Sequence, residues 1–399
     1  MNRAVVILLA LLPAPLCAAD FQFRDGDRVV LIGSTLIERE QRYGYWEAAL
    51  TAANPDKTIT FRNLGWSGDT VWGEARADFG TAADGYKHLI EHVKAEKPTV
   101  LIVGYGTNES FAGPAGLPKF QEQLKKLLDD LAPTKARLVM LAPMKMFKMP
   151  PPLPDPTKAN GNIQLYSDAI KEEAKRRVAL FVDFNEMFSI PVPQPDENIG
   201  LATDNGMHLT ANGYAMTGGY LAGIGGGHAA LANIRMDVNA HTCEATFAAK
   251  VSRDGDVMRF RITAASVPIP YSVVEGEKVG GPLFFVKGAA VGEHLLKVDG
   301  KPVTIIRSEK YPKIGLIGSG PDLDQGEKLR QTIIAKNELY FHRWRPANIT
   351  YLFLFRKYEQ GQNAREIPQF DPLVAAKEQE IAKLRKPVEH VYELVPAKK

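Results

Sequence analysis

Short apolar runs alternate with longer amphipathic stretches along the first half of the chain. Residues 29–32, 58–64, 99–103, 137–141 and 178–184 are rich in β-branched residues and are bounded by turn residues. This pattern predicts five strands. Residues 45–53, 85–96, 118–131, 163–177 and 211–222 carry helical spacing in the intervals. Strand–helix alternation predicts parallel βαβ units with helices on both faces of one sheet.

Residues 143–162 interrupt the rhythm. They hold many prolines, methionines and lysines, with Pro150-Pro151-Pro152 at the centre and Asn160-Gly161-Asn162 at the end. They read as a long loop after the fourth strand, where such loops shape ligand sites. From about residue 240 the pattern becomes antiparallel. Strands are expected at 246–252, 257–264, 283–286 and 295–298, with Asp254-Gly255 and Asp299-Gly300 as hairpin turns. Helices follow at 326–339 and 373–386. The expected fold class is α/β, a flavodoxin-like three-layer α/β/α domain with a five-stranded parallel sheet. A C-terminal β-rich and helical extension is added to it. The expected division is a leader at 1–19, the α/β domain at 20–235, a small β-rich region at 236–320 and a helical extension at 321–399.

Composition changes this picture little. The 399 residues are 45% hydrophobic and 24% charged, as in ordinary globular proteins. A formal net charge of +3 gives no reason to expect a nucleic acid or an anionic membrane as partner. The N-terminus does change it. Arg3, the apolar run 4–12 and Cys17-Ala18-Ala19 read as an export signal cut before Asp20. The run is too short to cross a bilayer as a helix, so no stable membrane insertion is expected. Once Cys17 leaves, Cys243 is the only cysteine of the mature chain, and no internal disulfide is expected.

Four patches carry candidate chemistry: Gly33-Ser34-Thr35 after strand one, Asn63 to Thr70 after strand two, Gly104 to Glu109 after strand three, and Asp204 to Leu209 before the last helix of the domain. Parallel strands bring their C-terminal ends to one edge, where α/β folds bind ligands. A hydroxyl, glycine-turn N–H groups, an Asn amide and a His near a carboxylate would then share that edge. These are the parts of acyl transfer.

In this order and strand–loop context, the patches resemble the four sequence blocks of the SGNH (GDSL-type) hydrolases, over about residues 26–225. The resemblance implies a nucleophile after strand one, an oxyanion hole from Gly68 and Asn108, and a proton-shuttling His208. The family has Gly-Asp-Ser where this chain has Gly33-Ser34-Thr35. Thr35 takes the nucleophile position, crowded by its methyl, and Ser34 offers an unhindered hydroxyl one residue away. The family spacing Asp-x-x-His lands on Asn205, with Asp204 one residue before it. Asp204 is favoured as the residue that orients His208, because an imidazolium needs negative charge nearby.

The activity implied is an exported esterase that removes small acyl groups, acetyl above all, from carbohydrate. It would need no cofactor, and its partner would be a small-molecule or glycan ester. The segment 328–373 is similar to exported SGNH-like proteins of polysaccharide-degrading bacteria, which implies the carbohydrate context. The altered nucleophile block leaves a second expectation open, a catalytically impaired carbohydrate-binding protein on the same fold. Trp66 and Tyr105 suit stacking on a sugar or packing. Asp69 and Glu109 read as organisers of loop hydrogen bonds, and Glu38-Arg39-Glu40 as a solvated ion-pair set. His342-Arg343-Trp344-Arg345 reads first as packing between regions. The histidines lack metal-ligand spacing, and Gly225-Gly226-Gly227 lacks the Lys-Ser/Thr of a P-loop.

Overall fold

The computed structural model describes residues 21–188 and 202–224, and from 233 to 396 all but 238, 241, 247–249, 254–258, 275–276, 280–282, 288–291, 309–312 and 361–362. The expected leader with Cys17, the Asp254-Gly255 turn and the Gly225-Gly226-Gly227 run lie outside the described residues.

Strands β1 (Arg28–Gly33), β2 (Thr60–Asn63), β3 (Val100–Gly104), β4 (Arg137–Leu141) and β5 (Leu180–Val182) form an all-parallel sheet in the order β2-β1-β3-β4-β5. Helices α1 (Thr35–Tyr43) and α2 (Tyr45–Ala52) follow β1, and α3 (Ala82–Ala95) follows β2. Then come α4 (Gly113–Leu131) after β3, α5 (Thr157–Arg176) after β4, and α6 (Phe184–Phe188) and α7 (Ala211–Ile224) after β5.

Both sheet faces are covered, which explains why the strands are continuous apolar runs rather than alternating ones. Val30, Ile32, Leu101 and Val103 pack with Leu89, Phe120, Leu124 and Ile170 on one side. Val29, Leu31, Val100 and Ile102 pack with Trp46, Leu50, Tyr214 and Leu221 on the other. Burying each such aliphatic side chain contributes about 1.5–3 kcal/mol. The three-layer α/β/α expectation therefore stands.

Two local expectations change. The segment 35–43 is helical, although its sequence is mostly polar and charged. Tertiary packing of Ile37, fully buried between the layers, offsets the weak apolar pattern. Helix α5 starts at Thr157, so the long loop shrinks to 143–156 and Asn160-Gly161-Asn162 lies inside the helix. The Asn160 side chain accepts from Met146 N–H at 2.7 Å and donates to Met146 C=O at 2.8 Å, fastening that helix to the loop.

The C-terminal region is β-rich and helical as expected, with more strands than the pattern indicated. Its strands are β6 (Asn233–Asp237), β7 (Thr242–Thr246), β8 (Lys250–Arg253), β9 (Arg259–Thr263), β10 (Tyr271–Val274), β11 (Glu277–Val279), β12 (Leu283–Lys287), β13 (Gly292–Val298), β14 (Lys301–Ser308), β15 (Lys313–Leu316) and β16 (Glu389–Pro396). One sheet runs β15-β12-β6-β7 and another β14-β13-β16-β9-β8. Asp299 and Gly300 both have positive φ, the two-residue hairpin geometry that joins β13 to β14. Cys243 is a free thiol pushed up to about 12 by burial.

Helices α8 (Pro321–Trp344) and α9 (Phe370–Leu384) pack on each other and against the α/β domain. Leu329, Ile333 and Ile381 cover Ala48 and Ala52. Lys336 Nζ meets Glu47 Oε1 at 2.6 Å with both side chains buried, and Arg62 meets Glu378 at 2.7 Å. The stretch after α9 ends as a strand: β16 lies between β13 and β9 and so returns the chain to the β-rich region.

Candidate functional site

The site is built at the C-terminal edge of β1, β2 and β3. Gly33 makes the strand-to-helix turn possible. Its φ is +154°, and a Cβ there would lie 2.4 Å from Gly104 O and 2.6 Å from Ile37 Cγ1. Ser34 is the N-cap of α1 and is buried, but its side chain makes no capping bond. Its C=O accepts from Ile37 N–H and Glu38 N–H. Thr35 is the first helical residue and is half-buried. The first N–H groups of a helix have no partner within it and carry its positive dipole end. Thr35 thus sits where a hydroxyl and a free N–H occur on one residue.

The loop after β2 presses on this turn. A Cβ on Gly65 would lie 2.3 Å from Glu38 N. Trp66 N–H donates to Gly33 O, and Gly68 adopts φ +79° in the exposed tip that follows. Ser67 N–H donates to Glu38, whose carboxylate also pairs with Arg345 at 3.2 Å. The Arg345 guanidinium lies 3.4 Å from the centroid of Trp66, a cation–π contact.

The loop after β3 is tied to the same place from beneath. Asn108 Nδ2 donates to Asp69 O at 2.9 Å, leaving one amide N–H for another acceptor. Asp69 is fully buried. It pairs with the buried Arg76 at 2.7 Å and accepts from Tyr105 Oη at 3.0 Å. Glu109 accepts from Val71 N–H at 2.9 Å through one oxygen and from Gly106 N–H at 2.8 Å through the other. Burial pushes its carboxyl up to about 7, aided by the Asp69 charge and opposed by the N–H donors.

The last loop, 203–209, is closed by a bridge between Thr203 and Leu209 and by Asp204 N–H donating to His208 O. Gly206, at φ +79°, lets Phe147 N–H reach Gly206 O at 2.7 Å. The proline-rich loop after β4 therefore lies against the loop that carries His208. His208 is half-buried, and burial lowers its basicity first, the Arg39 charge second, with Asp204 opposing.

The structure brings His208 to Asn205 rather than into a hydrogen bond with Asp204. Asn205 Nδ2 lies 3.1 Å from His208 Nδ1. Asp204 instead pairs with Arg39 at 2.8 Å. Arg39 stands one helical turn after Thr35, so the face of α1 that carries Thr35 also meets the 203–209 loop. Arg39 reaches Leu209 O at 3.3 Å as well.

The solvated ion-pair reading of Glu38-Arg39-Glu40 is overturned. Glu38 braces the Ser67 loop and Arg39 holds Asp204. Glu40 is buried and accepts from Trp46 N–H at 2.7 Å. Helical spacing from Thr35 is the signal that would have exposed Glu38 and Arg39. Arg76 carried no such signal. The cluster 342–345 divides: Arg343 pairs with Asp371 in the C-terminal region, while Arg345 reaches the site loop. Tyr105 packs, fully buried, rather than facing a ligand. Among the described residues no cluster of His, Cys, Asp and Glu could hold a metal ion. Two cavities lie away from this edge, one beneath α2 beside Trp46 and Phe61, the other at the opposite sheet edge beside Phe23 and Arg137.

Fold and edge together define a hydrolase of the three-layer α/β/α kind, with its hydroxyls after the first strand. Residues 29–216 match the family model of the GDSL-like Lipase/Acylhydrolase family. The chain is also similar in structure to a gut microbial diltiazem-metabolizing enzyme, at a TM-score of 0.69 and 16% identity, over 94% of this chain and 99% of that one. That likeness extends the shared fold through the C-terminal region. It is similar over a smaller part to a catalytic mutant of Axe2, an acetylxylan esterase from Geobacillus stearothermophilus, at a TM-score of 0.40 and 20% identity, over 51% of this chain and 96% of that one. No curated protein matches the chain in sequence.

Proposed function

We propose that this chain is an exported esterase that removes small acyl groups, acetyl above all, from carbohydrate. The observation that carries the reading is the grouping at one sheet edge of the Thr35 turn, the Gly68 and Asn108 loops and the His208 loop. Thr35 is the favoured nucleophile over Ser34, because Thr35 is half-buried at the helix N-terminus and Ser34 is closed in.

In this mechanism Thr35 Oγ attacks the ester carbonyl carbon, and its proton passes to His208 Nε2. The N–H groups of Thr35 and Gly68 and the free Asn108 amide proton take the oxyanion charge. Collapse breaks the carbon–oxygen bond to the alcohol, which leaves with the proton from Nε2. Water then cleaves the acyl-threonine by the same relay. A small acyl group suits an edge framed by glycine turns and short polar side chains. The polar rim that Arg39 and Asp204 form beside the His208 loop suits the hydroxyls of a sugar. Export rests on the apolar run 4–12 and its small-residue end.

The test is hydrolysis of p-nitrophenyl acetate and of acetylated xylo-oligosaccharides. Turnover that Thr35→Ala abolishes supports the reading. Turnover no higher than that of a Ser34→Ala, Thr35→Ala double variant would end it. One observation favours the second reading, a binding protein with impaired machinery: an amide rather than a carboxylate faces Nδ1 of His208. Glycan binding by wild type that persists in the double variant, without turnover, would establish it.

A further inference from the structure

Asn205 occupies the position from which a carboxylate would orient His208, and its amide cannot turn over freely. Its Oδ1 accepts from Met207 N–H at 3.0 Å and from His208 N–H at 2.8 Å. Flipping the amide would set its NH₂ against two backbone donors. The NH₂ therefore faces His208 Nδ1, 3.1 Å away. An amide nitrogen only donates, so Nδ1 must accept. A neutral imidazole that accepts at Nδ1 carries its proton on Nε2. The nearest carboxylate does not reverse this, because Asp204 is held by Arg39.

We propose that Asn205 is a positioning residue that locks His208 in the Nε2–H tautomer and so holds back its action as a base. Taking a proton from Thr35 requires the other tautomer, with Nδ1–H and a lone pair at Nε2. That tautomer places Nδ1–H against the Asn205 NH₂. Elsewhere, replacing the orienting carboxylate of a catalytic triad by its amide lowers kcat about 10⁴-fold through this tautomer error. In this chain the amide is the resident group, so the reverse substitution is an activating one. The carboxylate of Asn205→Asp accepts from the same two backbone N–H groups and from Nδ1–H, so the loop needs no rearrangement. The inference rests on the ester-hydrolase reading for its effect on rate, but not for the tautomer.

The experiment pairs ¹⁵N NMR of the histidine side chains with p-nitrophenyl acetate hydrolysis, on the full chain. The His208 signals are assigned by their absence in His208→Gln. In wild type at a pH where the ring is neutral, Nε2 is expected to be the protonated nitrogen. In Asn205→Asp it is expected to be Nδ1, with a rise in kcat on the order of 10²- to 10⁴-fold and little change in KM. Asn205→Ala removes the donor without adding charge and is expected to give mixed tautomers and an intermediate rate. It also serves should the Asp variant fail to fold. An Nδ1–H tautomer in wild type would overturn the proposal, as would a tautomer switch with no gain in an active enzyme. If the tautomers behave as expected and no variant hydrolyses any ester, the tautomer assignment stands and the esterase reading fails.

Discussion

Glu109 joins the two loops that carry Gly68 and Asn108 by giving one oxygen to each. Its carboxyl sits above its ordinary value of 4.5, at about 7, chiefly through burial. Because the folded value is raised, the stability this group contributes is full below about pH 4.5 and is lost as pH rises to about 7. Glu109→Gln should lack that slope, and urea denaturation at stepped pH will show it. The variant should also lower kcat more than it raises KM, because an amide cannot accept from both N–H groups without setting its own NH₂ against one of them. At His208 the sign is opposite, since burial and Arg39 lower its basicity below the ordinary 6.5. Activity that needs the neutral ring should therefore rise through an acid limb below pH 6.5. Arg39→Gln removes the cationic neighbour and frees Asp204, so the pH–rate profile should move that limb upward. The sequence placed Ser34, Thr35, Gly68 and Asn108 in segments that follow the first three strands, and parallel pairing brings those strand ends to one edge, where the Arg39–Asp204 pair joins the His208 loop to α1. The sequence could not show that Asp204 is taken by Arg39, since that choice depends on which face α1 turns to the last loop.

At the scale of elements, α1 and α8 are the parts whose sequence said least about their use. The apolar pattern of 35–43 is too sparse to announce a helix, and Glu38 and Arg39 look solvated until the helix places them one turn past Thr35. Helix α8 reads as a generic helix, yet its end supplies Arg345 to Glu38 and Trp66. Arg345→Ala should leave stability within about 1 kcal/mol, as for a partly exposed pair. It should reduce kcat, because Ser67 and Gly68 lose the brace that Glu38 shares. Steady-state kinetics beside a thermal melt will separate the two effects. Lys336 behaves differently, being fully buried against Glu47. Lys336→Met leaves an unpaired buried carboxylate and should cost about 3–5 kcal/mol, whereas Lys336→Met with Glu47→Gln should recover most of it. A double-mutant cycle by chemical denaturation measures both.

Across the whole molecule, the C-terminal region completes the α/β domain. Continuous apolar runs made the five-stranded sheet legible, because burial on both faces demands them. The return of the chain through β16 was not legible, since its eight residues pair with strands about 100 and about 130 positions earlier. A chain ending at residue 320 would expose Ala48 and Ala52 and leave Glu47 without its lysine. Such a truncated chain should fail to fold cooperatively in a calorimetric scan. The shared architecture with the diltiazem-metabolizing enzyme over 94% of this chain fits the same dependence. The central claim remains chemical, that the Thr35 turn carries an acyl group during turnover. The most direct measurement is peptide-mapping mass spectrometry after reaction with a fluorophosphonate. The account predicts one adduct, on Thr35, absent from Thr35→Ala and slower to form in His208→Gln. An adduct on Ser34, or labelling of Thr35 no faster in wild type than in His208→Gln, would contradict it.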